Sequence, residues 1–158
     1  MAHSLPHLQE VSTMRYYKLD PEVAGGWGPN TVFSRVPGQP LVIHKFHYQF
    51  DGWLGDELLE SDPCFIVTQR LAEAIRNAPL TGYVLRQVET STSEQFQEIY
   101  PNRQTPSFEW LDITGKAGVD DWGVDIDGRL VVSSEALAVI KSTTLNHCEV
   151  SEFTKSSA

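Results

Sequence analysis

The segments Phe65-Ile66-Val67-Thr68-Gln69-Arg70-Leu71-Ala72-Glu73-Ala74-Ile75-Arg76 and Leu130-Val131-Val132-Ser133-Ser134-Glu135-Ala136-Leu137-Ala138-Val139-Ile140-Lys141 decide how this chain is read. Each opens with an apolar run of strand type, reaches a hydroxyl residue, and continues with helical periodicity to a basic last turn. They are offset by 65 positions, so Phe65 matches Leu130, Thr68 matches Ser133, Ile75 matches Ile140 and Arg76 matches Lys141. The match extends to Leu80 and Leu145. The hydroxyls of Thr68 and Ser133 are placed to accept from the first unpaired helix N–H groups where the strand turns over. Leu71, Ala74, Ile75 and Ala78 share one helix face, as do Ala136, Val139 and Ile140.

Working outward, each copy reaches a second strand, at Val84-Leu85 and at Val150. The expected fold is therefore α+β: a mixed sheet with two pseudo-repeated strand-helix-strand units, about 65–88 and 130–153, and helices packed on the sheet. Leu41 through Phe50 reads as one strand ended by Asp51-Gly52. Ser91 through Tyr100 reads as a short helix capped near Ser93 and stopped by Pro101. Ser107 through Thr114 alternates like a half-exposed strand. Asp127-Gly128 is expected as a two-residue hairpin turn between Val124-Asp125-Ile126 and Leu130-Val131-Val132. Residues 1–13 are expected as a loose N-terminal extension, 14–153 as a single domain and 154–158 as a C-terminal tail.

The 158 residues include 21 acidic and 12 basic side chains, a formal net charge of −9, with 41% apolar residues. Such a balance repels nucleic acid and anionic membranes and speeds encounter with a basic partner. The charge is uneven. Residues 51–62 hold Asp51, Asp56, Glu57, Glu60 and Asp62 with no base, and residues 109–127 hold six acids against Lys116 alone. No apolar run is long enough for a membrane helix, and residues 1–13 lack a basic start followed by an apolar segment, so a cytoplasmic location is expected. Cys64 and Cys148 have neither CxxC spacing nor a Cys/His cluster, which fits buried thiols.

Chemistry-bearing patterns each have a plainer reading. His44 and His47, three apart in a strand, fall on opposite faces and cannot share a metal. Asp125-x-Asp127-Gly128 starts like a calcium loop, but Arg129 stands where the next oxygen ligand belongs. No nucleophile elbow, phosphate loop or HExxH is present. No catalytic residue, metal ligand or cofactor is therefore expected. The four tryptophans are all close to Gly or Asp, as in Asp51-Gly52-Trp53-Leu54-Gly55-Asp56 and Asp120-Asp121-Trp122-Gly123. A large apolar anchor ringed by polar groups is what protein interfaces use.

Tyr16-Tyr17, the Gly/Trp loop, Phe50 through Asp56, Phe65-Ile66-Val67-Thr68, Phe108-Glu109-Trp110-Leu111 and Leu130-Val131-Val132-Ser133 together resemble a family of bacterial immunity proteins. That family was long catalogued as a domain of unknown function and is encoded beside polymorphic toxins. The likeness runs from about Met14 to Phe153. It implies a non-enzymatic α+β protein that binds a cognate toxin domain, and the acidic segments suit a basic, nucleic-acid-acting toxin. The expected toxin-binding residues are Asp51, Trp53, Asp56, Glu57, Asp120, Asp121, Trp122 and Asp125. Two competing readings are a small enzyme that reverses a toxin's modification, with a pKa-shifted carboxylate or His in a pocket, and a generic protein–protein adaptor with a broad apolar patch.

Overall fold

The computed structural model describes residues 15–154, which form thirteen strands and three helices. The strands are β1 (Tyr16–Asp20), β2 (Gly25–Trp27), β3 (Val32–Ser34), β4 (Val42–Lys45), β5 (His47–Phe50), β6 (Leu58–Ser61), β7 (Cys64–Thr68), β8 (Tyr83–Arg86), β9 (Glu89–Thr92), β10 (Phe108–Ile113), β11 (Trp122–Val124), β12 (Leu130–Ser133) and β13 (Glu149–Phe153). The helices are α1 (Gln69–Arg76), α2 (Glu94–Ile99) and α3 (Ser134–Lys141). The class is α+β. In place of one sheet there are two four-stranded sheets, β6-β7-β10-β8 and β11-β12-β1-β13, a three-stranded sheet β2-β5-β9, and a ribbon β3-β4. The three-stranded sheet is mixed, since β5 runs antiparallel to β2 and parallel to β9.

The residues expected to cap helices do so. Thr68 Oγ1 accepts from Leu71 N at 3.2 Å, Ser133 Oγ from Ala136 N at 3.2 Å, and Ser93 Oγ from Phe96 N at 3.2 Å. The continuous apolar run of β7 is explained by burial on both faces. Phe65 and Val67 enter one core with Leu71, Ile75, Leu111, Trp122, Leu130, Val132 and Ile140, between the sheets and helices α1 and α3. Cys64 and Ile66 point the other way, into an aromatic core of Phe46, Tyr48, Phe50, Phe96, Phe108 and Trp110. β10 alternates likewise, with Leu111 in the first core and Phe108 and Trp110 in the second.

Two carboxylates tie this frame together. Glu57 receives the Thr68 hydroxyl on Oε1 at 2.7 Å and the Thr144 N–H on Oε2 at 2.8 Å, and the Arg70 guanidinium closes on both oxygens. Asp121 receives the Ser133 hydroxyl on Oδ1 at 2.8 Å and the Thr81 N–H on Oδ2 at 3.0 Å. Each acid thus joins the hydroxyl that caps the following helix to the loop after the other long helix. Gly82, beside Thr81, has φ +105°, and a Cβ there would lie 2.1 Å from the Trp122 carbonyl. Only glycine fits that crossing.

Three expectations are corrected. Leu41–Phe50 is two strands, because β4 pairs with β3 while β5 joins β2 and β9; the buried Phe46 marks the break. The hairpin at Asp127-Gly128 closes with three residues, Ile126–Gly128, since Asp125 N bonds Arg129 O and only Gly128 takes positive φ. A two-residue type I′ turn would need positive φ at Asp127 as well. Cys64 is buried as expected, whereas Cys148 is only half-buried; burial pushes both thiols up to about 12. The 1–13 extension and most of the 154–158 tail lie outside the described residues.

Burial works against the Glu57 carboxylate, yet Arg70, the Thr144 N–H and the Thr68 hydroxyl outweigh it and lower its pKa to about 2. A carboxyl whose folded pKa lies below its unfolded value stabilises the fold above about pH 4.5, and that contribution fades as pH falls toward 2. Urea denaturation should show Glu57→Gln less stable than the native chain by about 2–3 kcal/mol at pH 7, with the gap closing between about pH 4.5 and 2.

Candidate protein-binding surface

The loop from Asp51 to Glu57 is shaped by a buried acid from outside it. Glu22, 7% exposed, accepts from Leu54 N at 2.6 Å and Asp56 N at 3.2 Å. Asp51 N and Gly52 N bond the Ala24 carbonyl. Asp56 is wholly buried, and its two oxygens accept from Asn146 N and His147 N at 2.8 and 2.7 Å. The loop is therefore fixed by backbone-to-carboxylate bonds, which are stronger than neutral ones.

Trp53 stands on this base. Its Nε1 donates to Asp56 O at 2.9 Å, and its ring meets Phe50 and Phe108 edge-on. Arg103 donates to the Trp53 carbonyl at 2.8 Å and lies 4.7 Å from the indole centroid and 4.8 Å from the Tyr100 ring. The indole is thereby held rigid and half-exposed. It walls two hollows. One, of about 360 Å³, is lined by Asp51, Leu54, Val23, Gln95, Ile99 and Tyr100 among others. The other, of about 490 Å³, includes Glu57, Thr68, Arg70 and Pro106.

Around the first hollow Val23 is 67% exposed, Leu54 63% and Ile99 53%. Exposed Glu94 and Glu98, one helical turn apart on α2, and Asp51 add acidic groups to its neighbourhood. Three protruding aliphatic side chains about a rigid tryptophan, with acids beside them, have the anatomy of an interface centre with a polar rim.

The second expected segment lies apart from this surface. Trp122 is wholly buried in the first core, so it is corrected from an exposed anchor to a packing residue. Asp56 and Glu57 are also corrected: both are buried and saturated with intramolecular donors, leaving Asp51 and Trp53 as the accessible members of the first group. Asp120 accepts from Lys116 N at 2.8 Å, and Asp121 holds Ser133 and Thr81. Asp125 pairs with Lys18 Nζ at 2.8 Å and Asp127 with the same amine at 2.9 Å, so an ammonium sits where the calcium-loop reading would put a cation. None of Asp120, Asp121, Trp122 or Asp125 lines either hollow beside Trp53.

Val23, Ile99, Tyr100, Arg103 and Glu22 were missed from sequence. Tyr100-Pro101 signals only a helix end, and a lone valine or arginine in a loop carries no period that marks it as exposed or stacked.

A groove of about 1000 Å³ runs between His44–Phe46, Leu85–Glu89 and Phe108–Trp110. Its charges pair with one another or with neighbours: Lys45 with Glu89, Arg86 with Asp112, and Glu109 with Arg76. His47 is buried, accepting from Asn30 N on Nδ1 and bonded to Ser91 through Nε2, while His44 is exposed beside Ser34. Among the described residues no group of three or more His, Cys, Asp or Glu could hold a metal ion, and no helix is long and apolar enough to cross a membrane. Compared with known proteins, the sequence matches no family model, and no curated protein is significantly similar to it.

The buried tryptophan and the exposed acid should separate in a thermal melt. Trp122→Ala should cost about 3–5 kcal/mol, as for a large core aromatic, whereas Asp51→Lys at the surface should stay within about 0.5 kcal/mol of native.

Proposed function

We propose that this chain is an immunity protein that neutralises a cognate bacterial toxin by one-to-one occlusion in the cytoplasm, as the resemblance in its sequence implies. The observation that carries the reading is the Trp53 surface: Val23, Leu54 and Ile99 stand more than half exposed around a tryptophan whose indole bonds the Asp56 carbonyl and carries Arg103 on its ring. Exposed aliphatics cost free energy in water unless a partner covers them. The formal charge of −9 and the acids near this surface suit a basic toxin domain, such as one that acts on nucleic acid.

An enzyme would need a pKa-shifted group in a pocket, and Glu57 lines the hollow beside Trp53. Its shift is downward and its oxygens already accept from Thr68, Thr144 and Arg70. A carboxylate so held is a poor proton acceptor near neutral pH, which favours a structural role.

We also infer that the two four-stranded sheets are copies of one ββαβ plan, each completed by an antiparallel strand from elsewhere, β10 in one and β1 in the other. Support comes from register: Phe108 faces Thr68 as Tyr16 faces Ser133, and Leu111 faces Leu85 as Leu19 faces Val150. The paired carboxylates fit the same correspondence, with Glu57 bound to Thr68 and Asp121 to Ser133.

The toxin is encoded beside an immunity gene, so the test is co-expression of the neighbouring product with this chain, followed by titration calorimetry. Binding should saturate at one to one and rescue growth. Leu54→Asp with Ile99→Asp should weaken it by about 30-fold or more, as hot-spot losses near 2 kcal/mol do, with little change in melting temperature. Rescue by trace amounts of the chain, or undiminished binding of the double variant, counts against the reading.

The acidic rim should act mainly on encounter. Asp51→Lys should slow association several-fold at low salt, and the difference should shrink in stopped-flow traces as salt is raised.

A further inference from the structure

Acidic residues recur along this chain except in one long stretch: residues 23–50 contain no Asp or Glu, and they carry Arg35, His44, Lys45 and His47. The middle of that stretch is the β3-β4 ribbon. Its strands pair with each other, Phe33 facing Ile43 and Ser34 facing Val42, and among the described residues no third strand pairs with either. Each strand therefore keeps an outer edge of backbone N–H and C=O groups that no described strand pairs.

The side chains of the ribbon are unlike an ordinary solvent-facing hairpin. Val32, Phe33, Val36 and Val42 are between 45% and 51% exposed. Phe33 rests against Trp27 at 5.2 Å between ring centroids, which anchors the ribbon to the body while leaving its outer apolar residues open. No residue of 32–45 lines either hollow beside Trp53, so this is a second, separate surface.

We propose that the β3-β4 ribbon receives an extended, acid-bearing strand of a partner protein, which adds to its free edge. The backbone edge supplies the hydrogen bonds of strand addition, and alternate side chains supply specificity. Apolar residues of the incoming strand cover Val32 and Val42, and its carboxylates meet Arg35 and Lys45 at the two ends of the ribbon. Arg35 makes no ion pair among the described residues, and Lys45 reaches only Glu89, at 3.3 Å. Charge decides between occupants. A second copy pairing ribbon to ribbon would bring Arg35 and Lys45 against like charges, whereas an acidic strand neutralises them.

The probe is a pair of synthetic peptides of about eight residues, a usual strand length, one alternating Val and Glu and the other alternating Val and Lys. Each is titrated at low salt into the isotope-labelled full chain, and amide shifts are followed by NMR. The Val–Glu peptide should bind at least about tenfold more tightly than the Val–Lys peptide, with shifts centred on residues 31–45. Val32→Glu with Val42→Glu, both at exposed positions, should remove that preference while the remaining spectrum stays native. The chain's overall charge of −9 by itself favours the lysine peptide, so the sign of the preference isolates the local effect. Equal or tighter binding of the lysine peptide, or shifts centred on the Trp53 surface, would overturn the proposal. So would shifts at 32–45 that depend on protein concentration without peptide, since these would assign the ribbon to a second copy. None of these results depends on whether a toxin binds elsewhere.

Discussion

The constraint on which the structure depends is the hydrogen-bonding need of two strands that turn directly into helices inside a shared core. β7 passes into α1 at Thr68 and β12 into α3 at Ser133, both residues buried. An unpaired helix N–H there would have no water to meet, so the hydroxyl accepts it, and the hydroxyl's own proton then needs an acceptor. Glu57 and Asp121 are those acceptors. Because a carboxylate has two oxygens, each has a second one left to take a backbone N–H from the loop after the other helix, at Thr144 and Thr81. Local capping is thus converted into a long-range clasp, and the core of Leu58, Val67, Trp122, Val132 and Ile140 closes beneath it.

The same economy governs the outer surface. Glu22 and Asp56 are buried acids whose charge is satisfied by main-chain donors, and they fix the loop that presents Trp53 and Leu54. A run of acids in sequence is therefore two populations: some define the surface charge, and others are internal ligands for backbone N–H groups. Asp51 belongs to the first, Asp56 and Glu57 to the second. Rigidity follows from this division, and a rigid anchor loses little conformational freedom when a partner covers it.

Two surfaces of opposite local character result. The Trp53 surface is apolar with acids nearby, and the β3-β4 ribbon is apolar in an acid-free stretch with Arg35 and Lys45. The first is assembled from four separate parts of the chain, Val23, Asp51–Leu54, Gln95–Tyr100 and Arg103. The second is a single hairpin. The two surfaces share no residue.

Near-neighbour patterning is enough for the local features: the strand-to-helix steps at Thr68 and Ser133, the capped helix after Ser93, the strand at 108–113 and the α+β class. These are legible because apolar period and capping act between near neighbours. The sequence also placed Asp51 and Trp53 together on one loop, where both stay accessible. Long-range packing settles which acids face water, which tryptophan is a core plug, and where the strand at 41–50 divides. Those outcomes depend on pairing between residues far apart in the chain: Trp122 packed with Leu58 and Val132, Asp56 bonded by Asn146 and His147, β4 drawn to β3 and β5 to β9. A side chain's burial is set by what the rest of the chain lays over it, and no window of sequence contains that information.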